Sequence, residues 1–208
     1  LQLINDMPID RPIYFAVTVS HNSMLGLDKY LEMQGLVYKF TGKENLDPSE
    51  SPQLNVEKTV QFISETNDYD NHIKNSDDYI KAIKENKGIY RYRNLNNEEV
   101  YFSKDIIRMT QNFRSPFLQS AQELILKDRL DEANDILLSM DKSIPINTIP
   151  ILHSDYQLTV ARLFAMAGNK DKFNFYMQDL MNREDLTIQD HYDISSVLLM
   201  DSHTINEG

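Results

Sequence analysis

Arginine and tyrosine are the side chains of this sequence with the clearest chemical use. Arg91, Tyr92 and Arg93 are consecutive, Arg114 follows, and Arg11 with Tyr14 adds a similar pair near the start. A guanidinium fork matches the two oxygens of a carboxylate, and a tyrosine ring offers a flat face to a sugar, so this cluster is the candidate for binding a carbohydrate or an acidic group. In an acidic protein the same residues serve at least as often as internal ion pairs, and that structural use is the favoured reading.

Other chemistries fail on spacing. The five histidines, His21, His72, His153, His191 and His203, form no HExxH and no i, i+4 pair, so no zinc site is read. Asp68, Asp70 and His72 alternate like the start of a calcium loop, but Ile73 stands where the turn glycine belongs and Tyr79 where the bidentate glutamate belongs. A solvated acidic linker is the better reading. Ser20 and His21 are adjacent, yet neighbouring strand residues point to opposite faces, which leaves them badly placed to share a proton. No phosphate-binding loop, GxGxxG or GxSxG is present, and the 6 glycines are isolated. No catalytic residue, metal ligand or cofactor is therefore expected in this chain.

Composition narrows the partners. With a formal charge of -11 among 208 residues, the chain lacks the basic character that releases counterions from a phosphate backbone, so nucleic acid is not expected. The absence of cysteine removes disulfides and thiolate chemistry. A hydrophobic fraction of 41% supports a packed core in a chain this long without metal or cross-link. No apolar run approaches the roughly 20 residues that span a bilayer. The start, LQLINDMPID, has neither an initiator Met nor a signal-peptide pattern, and it reads as a cut from something longer.

The elements that must position these residues fall into two styles. Leu1 to Met7 reads as the end of a helix, and Ile13 to Val19, β-branched and aromatic, as a buried central strand. Asn22 or Ser23 is the expected cap of a short helix to Gln34, stopped by Gly35, before a strand at Leu36 to Phe40, in a βαβ-like order. Lys43 to Gln53 is a loop. Asn55 caps a helix with Val56, Val60 and Ile63 inward, a second helix from Ser76 follows, and Ile89 to Phe102 forms a hairpin or a packed irregular pair.

From Ser103 the pattern turns helical. Phe117, Ala121, Leu124 and Ile125, then Ala133, Ile136, Leu137 and Met140, mark two helices around a turn at Lys127 to Leu130. Small Ala121 and Ala133 sit where tetratricopeptide-like hairpins cross. A second hairpin, Ser154 to Ala167 and Asp171 to Met181, lies over the first at an offset of 40 residues, matching Gly168 to Asp128, Ala161 to Ala121 and Phe173 to Ala133. A last helix near Ile188 to Met200 completes an α+β chain: residues 1–102 a small N-terminal α/β part, residues 103–208 a tetratricopeptide-like helical part.

RPIYFAVTVS, the Tyr30 to Lys39 stretch YLEMQGLVYK, the VYF step at Val100, the NFRSPF step at Asn112 to Phe117 and the Ile144-Pro145 step together resemble a family. That family is the bacterial membrane proteins similar to transmembrane protein O-mannosyltransferases, in which a multi-spanning GT-C-type region precedes a soluble C-terminal part. The resemblance implies a domain on the periplasmic, extracytoplasmic side of the bacterial inner membrane. Its partners would be the membrane-spanning region of the same parent protein and an acceptor protein or glycan. The family's catalytic acids would lie in the membrane region, so none transfers to this sequence and the chain alone is expected to be non-catalytic. The alternative class is a helical-repeat adaptor that holds a partner peptide in a groove.

Overall fold

The structure, a computed structural model, describes residues 12–45, 52–64 and 94–205 together with Asp77, Lys81, Tyr90 and Tyr92. The helix read at Leu1 to Met7 and the calcium-like Asp68 to His72 lie outside those residues, as does the helix from Ser76 apart from helical Asp77 and Lys81. The chain divides into two compact units, Leu1–Arg91 and Tyr92–Gly208, a split that falls ahead of the Phe102 boundary read from the sequence. The architecture is α+β, a small mixed sheet followed by helices.

Among the described residues the first unit is built on four short strands, β1 (Tyr14–Ala16), β2 (Leu31–Gln34), β3 (Val37–Phe40) and β4 (Gln53–Leu54), in the order β1-β3-β2-β4. The expected buried strand at Ile13 to Val19 is instead a three-residue edge strand, with Tyr14 48% exposed. Pro12 precedes it, and Val19 N donates to Ala16 O at 3.0 Å, turning the chain out of the sheet. The expected helix to Gln34 is replaced by 3-10 turns at His21–Met24 and Asp28–Tyr30 and then by β2. Leu31 and Met33 are buried while Glu32 between them is half-exposed, a period of two that suits a strand.

The βαβ order is thereby corrected to an antiparallel hairpin, with Gln34 opposite Val37. Gly35, at φ +68°, is left-handed as expected, but it turns a two-residue hairpin loop instead of ending a helix. A Cβ there would sit 2.5 Å from Tyr90 Cε2, so glycine is required twice over. Thr59 Oγ1 accepts from Gly35 N at 3.0 Å and Tyr90 Oη accepts from Leu36 N at 2.9 Å, which fixes the turn from two directions. A parallel pair joins β2 to β4 and leads directly into α1 (Val56–Ser64). Asn55 Oδ1 caps that helix by accepting from Lys58 N at 2.9 Å.

The second unit begins with turns through Asn94 to Val100, the irregular one of the two forms read for this stretch. Six helices follow among the described residues: α2 (Lys104–Thr110), α3 (Ser115–Leu126), α4 (Leu130–Ser143), α5 (Ser154–Met166), α6 (Lys170–Met181) and α7 (Ile188–Ile205). α3 packs on α4 and α5 on α6, as the sequence pattern predicts. Ala121, Ala133 and Ala161 are fully buried and Phe173 is nearly so. Asp128 and Gly168, matched across the offset of 40, are both left-handed, at φ 58° and 79°.

Candidate functional site

Arg114 ends a 3-10 turn, Gln111–Arg114, at the entry to α3, and its side chain points inward. It is fully buried, with Nη2 donating to Ile144 O at 2.9 Å and to Ile149 O, and Nη1 to Gln111 Oε1 at 3.4 Å. Burial pulls its pKa below the ordinary value, and nearby Tyr176, Tyr156 and Asp141 pull it partly back. The fork therefore holds the main chain of the loop that joins the two helical hairpins. Its Nε has no partner among the described residues.

Tyr92 is also interior, 8% exposed, with its ring 5.8 Å from that of Phe117 and edge-on to Phe113 at 6.2 Å. Arg91, Arg93 and Arg11 lie outside the described residues, and Tyr14 sits on β1 of the first unit. Among the described residues, Arg114 and Tyr92 are core members of the second unit, with no face turned to solvent.

A second arginine does for the far end of the same loop what Arg114 does for the near end. Arg183 Nη1 donates to Ile151 O at 2.8 Å and Nη2 to Leu152 O at 2.9 Å, while Asp185 accepts from Nη2 at 2.7 Å. Gln111 Nε2 adds a bond to Pro150 O at 3.1 Å, and Thr148 Oγ1 donates to Leu95 O. Sequence reading passed over Arg183. Its one signal was the pair of Ile-Pro steps: a loop too irregular to pair its own carbonyls must find side-chain donors.

One of the concave features of the second unit lies elsewhere. A groove of about 250 Å³ is lined by Ser154, Asp155, Leu158, Thr159 and Arg162 of α5, Leu180 of α6, and Asp190, Asp193 and Ile194 of α7. Its leucines and isoleucine are buried and form a floor, and the charged heads form the walls. Asp190 accepts from Ser154 Oγ at 2.5 Å and from Thr187 N at 2.7 Å, bonds that hold its carboxyl down at about 2. Asp190 N in turn donates to Thr187 Oγ1, so the pair forms the capping box of α7.

A carboxylate held so acidic is a weak base, and no histidine lines the groove. Arg162 is exposed and has no ion-pair partner among the described residues. The arrangement can recognise a ligand by shape and hydrogen bonds. Among the described residues no three His, Asp or Glu side chains are grouped to hold a metal, and no helix is long and apolar enough to cross a membrane.

Comparison with known proteins places only the first part of the chain. Residues 1–58 match the family TMEM260-associated domain 2, which covers 58 of the 208 residues and takes in all four strands of the sheet. No curated protein and no solved structure matches the chain. The match ties the N-terminal part to a family linked to TMEM260, a protein O-mannosyltransferase-like protein.

Proposed function

We propose that this chain is a non-catalytic accessory domain of a membrane glycosyltransferase related to TMEM260, held on the extracytoplasmic side of a bacterial inner membrane, and that it engages a segment of acceptor polypeptide. The match of residues 1–58 to TMEM260-associated domain 2 carries the reading. Transfer chemistry belongs to the membrane-spanning region of the parent, where a lipid-linked donor can be bound.

The groove between α5 and α7 supports a peptide over a sugar or donor. At about 250 Å³ it falls below the roughly 300–1,000 Å³ of small-molecule sites, too small for a lipid-linked sugar. Its lining contains no aromatic ring, so a sugar's apolar face would find no platform. Carboxylates, a guanidinium and hydroxyls above an apolar floor suit one or two side chains of an extended segment.

Reading the gene upstream of Leu1 tests the proposal most directly. A run of about ten hydrophobic spans is expected, each near the ~20 residues that cross a bilayer; a signal peptide alone would overturn it in favour of a free-standing adaptor. The purified chain should show no turnover of a mannosyl lipid phosphate with or without acceptor peptide, and measurable turnover would end the non-catalytic claim.

A further inference from the structure

We infer that the groove between α5 and α7 takes a lysine or arginine side chain of an extended segment, its stem on the apolar floor and its charged head between Asp155 and Asp193. This deepens the reading of the groove as a peptide site and rests on it. Most polar side chains of the lining are already committed. Ser154 Oγ donates to one oxygen of Asp190, and the N–H and hydroxyl of Thr187 both donate to the other, so Asp190 belongs to the start of α7. Thr159 Oγ1 donates to Asp155 O at 2.9 Å, back along its own helix.

Two carboxylates keep acceptors to spare, one on each wall. Asp155 of α5 has no partner for its carboxylate among the described residues. Asp193 of α7 keeps Oδ2, because Gln189 Nε2 occupies only Oδ1, at 2.9 Å. Between the walls lie buried Leu158, Leu180 and Ile194. A basic side chain has the matching form: its methylene stem covers apolar surface, and its head carries several donors and no acceptor.

Charge selects the occupant. Three carboxylates against one guanidinium leave the lining at a net -2, in a chain of net -11, and a concave site over an apolar floor concentrates that field. A cation is drawn in, and an acidic side chain is repelled. A neutral one would leave Asp155 and Asp193 partly dehydrated with no donor in return. Arg162 does not cancel this end of the groove, since it is exposed and stands seven residues further along α5, roughly 10 Å away. Its fork is the side-chain donor that remains in the lining. There it suits a main-chain carbonyl of the same segment, whose extended backbone has no bonds of its own.

Capped short peptides that differ only in a central lysine, arginine, glutamine or glutamate, titrated into the nitrogen-15-labelled chain, test this by affinity and location together. The lysine and arginine peptides should bind about tenfold tighter than the glutamine one, the glutamate peptide weakest, with the shifted amide signals in residues 155–162 and 190–194. Asp155→Asn and Asp193→Asn should each remove most of that preference. Arg162→Gln should weaken the glutamine peptide and keep the preference for lysine, and Asp135→Asn, exposed on α4 and outside the groove, should change neither. A glutamine peptide that binds in the groove as tightly as the lysine one overturns the inference and leaves the peptide-site reading standing. No binding by any peptide at millimolar concentration, or shifts outside the groove, overturns both. Equal losses from Asp135→Asn and Asp155→Asn overturn the placement, because the preference would then be the general pull of an acidic chain. Should a variant unfold, the peptide comparison on the unaltered chain decides.

Discussion

The two helical hairpins reach the same geometry from different residues. Each turn closes with the same bond pair: Asp128 N to Ile125 O at 3.0 Å and Arg129 N to Leu124 O at 2.9 Å in the first, Gly168 N to Ala165 O at 2.9 Å and Asn169 N to Phe164 O at 2.8 Å in the second. The second uses the residues this turn prefers, a left-handed glycine and then Asn169, whose side chain caps α6 by accepting from Lys172 N at 3.0 Å. The first places aspartate in the left-handed position and has no side-chain cap on α4; Arg129 instead pairs with Glu132 at 2.7 Å. At these matched positions α3 and α4 each bury an alanine, whereas α5 buries Ala161 and α6 buries Phe173. Turn geometry is fixed by the pair of helices as much as by the turn's own residues.

The largest break in that comparison should come from Phe173. Phe173→Ala is expected to cost about 3–5 kcal/mol in urea denaturation, because a nearly buried ring leaves a cavity; a loss under about 1 kcal/mol would show that α6 does not depend on its large crossing residue. The two loop clamps should differ next. Arg114→Leu strands two buried carbonyls and should lose about 2–4 kcal/mol, whereas Arg183→Leu, at a partly exposed site, should lose about 1 kcal/mol. Equal losses would mean that burial does not set the ranking.

Ala133→Leu overpacks the first crossing and should cost about 1–3 kcal/mol, against little for exposed Asp131→Ala on the same helix. The turns give a smaller, signed contrast. Gly168→Ala should destabilise by about 1 kcal/mol, since alanine resists the left-handed region, and Asp128→Gly should be neutral or slightly stabilising. Thermal melting of both variants would show whether the first turn carries strain that the second avoids.

The smallest effect concerns acid. Asp190 is held at about 2, against an ordinary 3.8, by Ser154, Thr187 and the Thr187 N–H. A carboxyl whose folded pKa lies below its unfolded one contributes stability above the unfolded value and loses it as pH falls through the folded one. The contribution should thus be present above about pH 4 and fade between there and pH 2. Asp190→Asn should flatten that part of the stability profile, and an unchanged profile would assign the acid sensitivity to other groups.

Sequence alone determined the helical hairpins. Their apolar positions recur at 3.6-residue spacing over a dozen residues or more, and the turns carry a local signal, so the pattern has one reading whatever the rest of the chain does. Around Leu27 to Gln34 the same method failed, because a short run containing Leu27, Tyr30, Leu31 and Met33 satisfies both periods. Pairing with β3 and β4 chose the strand. The fate of Arg114 was likewise beyond local reading. An arginine is interior only when carbonyls arrive to receive it, and those of Ile144 and Ile149 come from 30 and 35 residues away, brought there by the packing of α3 on α4.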